Sequence, residues 1–408
     1  MNRIFEICKR GVRIGTQDTY YDCPTREKGG FVGDALITGL SHLLLTGDLR
    51  IYKKFLLDCK ENGKHCPVIP AHLPTYNINF LADYSLLIPL FVQEYYDRTG
   101  DFSLLCEMLP TLEGILDYFA KFRNADGLLE KIAHFDGVPD YLNPILIDWP
   151  QNLRDGYDME KATQGVCTTI NVFYYGFLKT TAALYRIAAN EARAGVLSSM
   201  ASETERGINE ALYDEKSGLY RDAVDSQHSA IHANALQLFF GMKPPRGYEP
   251  IRELLLERRL NCGVYFSYFV IEGLFRIGEA EAALELLRGE DEHSWVNMLR
   301  SGATTCMEAW GPEQKWNTSW CHPWSSSPIY FYLRRILGID LRAQGEKCIR
   351  ITPHLPNDLK FLTLEMPTPH GRIRAEFSRE GGIPRYTLTA PQDAQILFGG
   401  DGIEFIRK

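Results

Sequence analysis

Two acidic segments, far apart in the chain, carry the residue types that acid–base chemistry on a polyhydroxylated substrate needs. The first, Tyr20 to Asp34, reads Tyr-Tyr-Asp-Cys-Pro-Thr-Arg-Glu-Lys-Gly-Gly-Phe-Val-Gly-Asp and crowds Asp22, Glu27 and Asp34 against Arg26 and Lys28. Pro24 lacks an N–H and restricts Cys23, while Gly29, Gly30 and Gly33 permit backbone that other residues avoid, so this segment is irregular. The plain alternative is that Asp34 caps the apolar helix that follows it and the other charges form a solvated turn. Tyr20, Tyr21 and Phe31 in the same segment argue for a binding pocket: sugar hydroxyls need acceptors, and sugar C–H faces need apolar walls. A sugar is the expected ligand.

The second segment, Ser301 to Ser327, holds Glu308, Glu313 and His322 and four of the six tryptophans. Its Gly, Pro and Ser content predicts a loop, where large aromatics are unfavourable unless they bind something or fill a gap between domains. Glycoside hydrolysis requires one carboxylic acid to protonate the leaving oxygen and one carboxylate to activate water or attack, and Glu27 and Glu308 are the candidate pair. Residue types alone do not say which is which. A third cluster, Tyr141 to Tyr157, contains Asp148-Trp149-Pro150 after the apolar Ile145-Leu146-Ile147. Asp148 and Trp149 fit either a hydroxyl acceptor beside a stacking ring or a buried tryptophan with a capping aspartate.

Other signals carry no mechanism. His65 and His72 flank Cys66 without the spacing of a structural zinc site, and Ser325 to Ser327 lack a Gly-x-Ser-x-Gly elbow, so neither a metal nor a cofactor is expected. A net charge of −8 and a pI near 5.8 disfavour a nucleic acid or a polybasic membrane contact and leave a neutral carbohydrate as the expected partner. The opening residues show no signal-peptide core and no later stretch approaches a membrane span, so a cytoplasmic location is expected. The 10 cysteines show no close CxxC pairs, which predicts reduced, mostly buried thiols.

The elements that must position these residues are mainly helical. Periodicity predicts helices over 4–12, 35–45, 49–59, 80–96, 104–122, 165–189, 197–212, 230–240, 251–260, 265–277, 280–287 and 328–337. Thr46-Gly47-Asp48, Thr99-Gly100-Asp101 and Ile277-Gly278-Glu279 read as hairpin turns, with glycine ending one helix and an acid opening the next. About twelve helices in hairpins suit a toroid of six hairpins. Beyond Gly338 the pattern becomes alternating, over 348–351, 361–365, 372–377, 386–388 and 396–398, which predicts a small antiparallel β domain. The expected domains are 1–338 and 339–408.

At this point a resemblance can be stated. Asp22-Cys23-Pro24-Thr25-Arg26-Glu27 followed by Gly33-Asp34 resembles the signature loop of family 78 glycoside hydrolases, the α-L-rhamnosidases. Thr304 to Trp310 and His322-Pro323-Trp324-Ser325 are similar to that family's later motifs, and Asp148-Trp149 to its middle one. The resemblance implies an (α/α)6 toroid with a C-terminal β-sandwich, and inversion at the anomeric carbon with Glu27 as general acid and Glu308 as general base. It also implies a sugar subsite formed by Asp22, Arg26, Asp34, Trp149, Trp310 and His322. Phe31 stands where the family often has tryptophan and Thr25 where it has glutamine. Family members generally carry β domains ahead of the toroid, whereas here residues 4–12 already read as its first helix. The competing readings are a related (α/α)6 hydrolase or lyase on uronic-acid chains, which would call for more cations, and a carbohydrate-binding protein without turnover, against which Glu27 and Glu308 both stand.

Overall fold

A computed structural model describes residues 1–408 except 76–78, 135–142, 342–347, 369–370 and 381. The first two residues of the predicted 141–157 loop therefore lie outside the described residues. Helices occupy two concentric rings. Outer helices are amphipathic: in Arg50–Asn62 the buried residues are Tyr52, Phe55, Leu56 and Cys59, the i, i+3, i+4, i+7 stripe of a helix packed on one side. Inner helices are buried all round, as in Val32–Thr46, where every residue from Val32 to Leu44 is buried. The inner ring is completed by Ile88–Thr99, Thr168–Ile187, Ile231–Phe240, Ser267–Arg276 and the run from Ser327 to Ile336. Outside it lie Asn2–Gly15, Phe102–Ala120, Glu191–Ala211, Glu249–Arg258 and Ala280–Leu287.

Two of the predicted hairpin turns use the same device. Gly47 and Gly100 end their helices at φ of 68° and 65°, a conformation that only glycine adopts without cost. The threonine before each glycine accepts from the aspartate after it, with Asp48 N to Thr46 Oγ1 and Asp101 N to Thr99 Oγ1 both 3.1 Å. Asp101 then caps the next helix through Leu104 N at 3.1 Å.

Several predicted helices are interrupted. The segment 80–96 splits into Ala82–Ser85 and Ile88–Thr99, because Pro89 at the start of the second has no N–H to continue the ladder. Gly165 separates Met159–Gln164 from Thr168–Ile187. The last inner helix is one α turn, Ser327–Tyr330, followed by a π-helix, Phe331–Ile336. A short helix, Trp295–Arg300, sits inside what reads as loop in the sequence, capped by Ser294 Oγ, which accepts from Asn297 N at 3.1 Å. Asp34 is not an N-cap: the helix begins at Val32, and Asp34 lies in its first turn.

The C-terminal strands form two sheets that are mixed, not purely antiparallel. Ile339–Asp340, Cys348–Ile351 and Gln395–Phe398 make one sheet, with the last two strands parallel. Phe361–Thr368, Gly371–Glu380, Ile383–Thr389 and Glu404–Arg407 make the other, antiparallel except for the last pair. Alternation along a strand reports its buried face, not the direction of its neighbour, so orientation was beyond the sequence pattern. The sheets are tied to the toroid by Tyr386 OH donating to Leu337 O at 2.9 Å and by Arg334, which pairs with Asp340 at 3.1 Å and Glu94 at 2.8 Å. All ten cysteines are unpaired. Among the described residues, no helix is long and apolar enough to cross a membrane.

Candidate active site

The loops at one end of the toroid surround a cleft of about 490 Å³ whose lining includes Asp22, Glu27, Phe31, Asp34, Trp149, Glu308 and His322. All three segments singled out in the sequence therefore meet there, although 282 residues separate the partners Arg26 and Glu308.

The first loop closes on itself before reaching the helix. Asp22 N donates to Gly29 O at 2.9 Å, and Gly29 N returns to Asp22 Oδ1 at 2.7 Å. The other oxygen, Asp22 Oδ2, is buried without a hydrogen-bond partner among the described residues, and the residue lines the cleft. Gly33 is needed for closeness: a Cβ there would lie 2.2 Å from the Tyr84 ring, so only glycine lets Tyr84 form the cleft floor. One turn into the helix, Asp34 Oδ1 lies 2.9 Å from His322 Nε2. Burial pushes the Asp34 carboxyl up, to about 6, against the pull of His322. His322 is held above its ordinary value because Asp34 and the nearby carboxylates outweigh the cost of burying its charge.

Glu308 sits in the second loop with only 2% of its side chain exposed. Ser319 N donates to Oε2 at 2.8 Å, Trp149 Nε1 to Oε1 at 3.1 Å, and Arg26 Nη2 to both oxygens at 3.2 and 3.1 Å. Lys315 Nζ stands 3.2 Å away. Burial opposes ionisation, but His322, the Ser319 N–H, Lys315 and Arg26 prevail, and the pKa falls below the ordinary 4.5. Glu27 differs: its side chain is 46% exposed and pairs with Arg26, 2.9 Å away. Partial burial and the charge of Asp22 raise its pKa above 4.5.

Two expected sugar contacts stand one layer behind the cleft. Asp148 is fully buried and accepts from His232 Nε2 at 2.8 Å, Gly263 N at 2.6 Å and Trp149 N at 2.8 Å. Buried behind the cleft lining, it seats Trp149, whose ring does line the cleft. Gly263 makes the seat possible, since a Cβ there would meet Asp148 Oδ1 at 2.4 Å. Trp310 is likewise fully buried, packed edge-on against Trp295 at 4.9 Å, with Nε1 donating to Cys262 O at 2.7 Å. The resemblance implies a sugar contact for Trp310, but the structure places it behind the cleft lining, where the helix Trp295–Arg300 packs beneath it.

Trp324 takes the place expected of Trp310. It lines the cleft, lies 4.5 Å from the His322 ring and donates Nε1 to Glu308 O at 3.1 Å. Leu81, Tyr84 and Leu146 complete the apolar wall. None was singled out in the sequence; for Leu146, the adjacency to Asp148-Trp149 was the available signal.

Solved structures share this architecture. The GH78 family rhamnosidase of Bacillus sp. GL1 superposes with a TM-score of 0.86 at 23% identity, covering 100% of this chain and 42% of that one. The Streptomyces avermitilis alpha-L-rhamnosidase complexed with L-rhamnose gives 0.78 at 17% identity, over 97% of this chain and 37% of that one. An alpha-L-rhamnosidase of Formosa agariphila is 23% identical over 96% of this chain and 42% of its own length. The chain thus spans under half the length of these relatives. The family model described as the bacterial alpha-L-rhamnosidase 6 hairpin glycosidase domain matches residues 1–336, and the chain belongs to that family of glycosidases.

Proposed function

We propose that this chain hydrolyses terminal α-L-rhamnosides with inversion, Glu27 acting as general acid and Glu308 as general base. The observation that carries the reading is the opposed setting of two glutamates on one cleft. Glu308 is kept ionised by two cations and two N–H donors, as a base requires, while Glu27 is raised and reaches solvent, where a leaving group departs. Asp22 Oδ2 and the Asp34–His322 pair supply the polar contacts for sugar hydroxyls. Phe31, Leu81, Leu146 and Trp324 offer an apolar wall suited to a deoxy sugar's C6 methyl.

The lining contains four carboxylates and, among the described residues, neither lysine nor arginine. Arg26 and Lys315 are already engaged by Glu308, and His322 by Asp34, which is unfavourable to a uronate substrate. Arg26 also bears on the stereochemistry. Its Nη2 touches Glu27 Oε1 at 2.9 Å and Glu308 Oε2 at 3.1 Å, so those two oxygens are no farther apart than the two distances laid end to end. An inverting pair needs roughly 6.5–9.5 Å between carboxyl groups to hold a water. With the pair as it stands the bound falls short of that range, so inversion requires the half-exposed Glu27 to part from Arg26, and the stereochemical test below decides between inversion and retention.

A panel of aryl glycosides differing only in the sugar tests the reading, with NMR of the first-formed product. Hydrolysis confined to the α-L-rhamnoside, releasing inverted rhamnose, is the expected result. Uniform inactivity would overturn the activity, and retention would overturn the mechanism.

A further inference from the structure

Behind the cleft lining lies a carboxylate that the proposed chemistry does not use. Asp83 is 1% exposed and sits in the short helix Ala82–Ser85. Its neighbours Leu81 and Tyr84 line the cleft, as do Leu146 and Trp149. Two hydrogen bonds join these segments: Ala82 N donates to Pro144 O at 2.7 Å, and Ile147 N donates to Asp83 Oδ2 at 2.9 Å. Asp83 Oδ1 is buried without a hydrogen-bond partner among the described residues. A carboxylate enclosed in this way is costly to bury. Burial pushes its pKa up to about 6, and the Ile147 N–H is the first of the contacts that pull it back.

What Asp83 holds is a strained turn. Asp148 N donates to Leu146 O at 2.8 Å, closing a three-residue γ-turn whose centre, Ile147, has a φ of 65°. That conformation is unfavourable for a β-branched residue, so the turn needs contacts from outside itself to persist. It also does what an extended chain cannot. Along a strand, positions 146 and 149 would point to opposite faces; here both residues line the cleft, while Ile147 and Asp148 are fully buried. Trp149 so placed donates Nε1 to Glu308 Oε1 at 3.1 Å. We propose that Asp83 is a positioning residue for the reaction: it clamps the turn at Ile147, and the turn aims Trp149 at the base and Leu146 into the cleft. The catalytic consequence rests on the rhamnosidase reading above; the clamp itself does not.

The test compares the unmodified chain with Asp83→Ala, Asp83→Ser, Asp83→Asn and Trp149→Phe. Ala and Ser both remove the acceptor, Ser with the smaller void, so one reports should the other fail to fold, while Asn keeps an oxygen for the Ile147 N–H. The first readout is the heteronuclear NMR spectrum of the six indole N–H groups, in which the Trp149 signal is the one that Trp149→Phe removes. Asp83→Ala or Asp83→Ser should shift that signal and leave those of Trp295, Trp310 and Trp324 in place, and Asp83→Asn should return it. The second readout is the pH profile of kcat/KM on 4-nitrophenyl α-L-rhamnoside. Losing a donor to the ionised carboxylate raises the Glu308 pKa, so the acidic limb should move upward in Asp83→Ala as in Trp149→Phe, with kcat/KM at neutral pH down about three- to tenfold. The double variant should lose little more than Trp149→Phe alone, because both changes act through one hydrogen bond. A Trp149 signal that stays in place overturns the clamp. So do buried indoles that all move together, since Asp83 would then support the whole core and not this turn. An unmodified chain that hydrolyses nothing overturns the rhamnosidase reading, while the indole spectrum still decides the clamp.

Discussion

The loops carrying Glu27 and Glu308 put the same side chain into one cleft and give it opposite properties. The Glu308 loop folds back so that Glu308 N donates to Ser319 O while Ser319 N donates to the Glu308 carboxylate, and Trp324 Nε1 holds the Glu308 carbonyl. The Glu27 loop is closed by Asp22 and Gly29 beneath the glutamate, and the Glu27 side chain is paired with Arg26, half in solvent. A buried carboxylate ringed by donors costs nothing further to keep ionised at the moment of reaction; a half-exposed one beside a second acid retains its proton more readily. The two roles proposed for these glutamates thus rest on backbone geometry, not on residue type.

The largest expected effect comes from the gripped side. Glu308→Gln should lower kcat for every substrate by about 10³–10⁴-fold, and azide, standing in for activated water, should recover part of it. Glu27→Gln should cost about 10²–10³-fold on an alkyl glycoside but under about tenfold on an activated aryl leaving group that hardly needs a proton. If azide rescued Glu27→Gln instead, the assignment would be reversed. The pH profile follows from the same contrast. Activity rises with pH as Glu308 ionises, below its ordinary 4.5, and falls as Glu27 loses its proton, above 4.5, so kcat/KM should trace a bell whose two limbs bracket that value.

Lys315→Met sharpens the comparison by loosening the grip without removing the carboxylate. With one of its two cations gone, Glu308 should ionise at higher pH, moving the acidic limb upward and leaving the basic limb in place. At neutral pH the loss in kcat/KM should be about tenfold or less. Movement of both limbs together would show that Lys315 supports the whole loop and not the charge of Glu308.

Much of the site was legible because its residues are clustered in sequence. Asp22, Arg26 and Glu27 cannot be far apart, and a proline with three glycines between hydrophobic segments had to be a loop. The six-hairpin ring was legible too, since the difference between one-sided and all-round burial is written in the helical periodicity. What was hidden depends on contacts between distant segments. Trp310 and Trp324 lie in the same loop and look alike in sequence; the unrecognised helix at Trp295 buries one, and His322 holds the other at the cleft. Asp148 reads as a ligand contact until Gly263 and His232, more than eighty residues on, take its oxygens. The parallel strand pairs were hidden for the same reason.

Asp34 joins the two loops through His322, and Asp34→Asn tests that joint. Asn keeps an oxygen for a hydroxyl but removes the charge that raises His322. In the unmodified chain the His322 pKa lies above its ordinary 6.5, so its own contribution is complete below 6.5 and is lost as pH rises through the folded value, while Asp34, raised from 3.8 to about 6, costs stability as pH rises across that interval. In Asp34→Asn that pH-dependent loss should disappear, leaving a flatter melting temperature across the neutral range, with KM raised about three- to tenfold. A melting curve that keeps its full slope would mean that His322 titrates against another carboxylate, Glu308 or Asp22, both of which also act on it.

The smallest effect on activity is expected at Trp310, and it separates the visible wall from the layer behind it. Trp149→Phe removes the Nε1 donor from Glu308 and a cleft-lining indole together, so rhamnose affinity and kcat should both fall. Trp310→Phe removes the N–H that satisfies Cys262 O and part of the packing on Trp295, at a cost to stability of about 1–3 kcal/mol, with the cleft surface unchanged. Calorimetry should therefore show a lower melting temperature for Trp310→Phe, while its titration with L-rhamnose, followed by the fluorescence of the remaining tryptophans, should give the unmodified Kd. If Trp310→Phe instead weakened rhamnose binding as much as Trp149→Phe, the two layers would be mechanically one, and the sugar contact expected of Trp310 would be exerted through the loop that also carries Glu308.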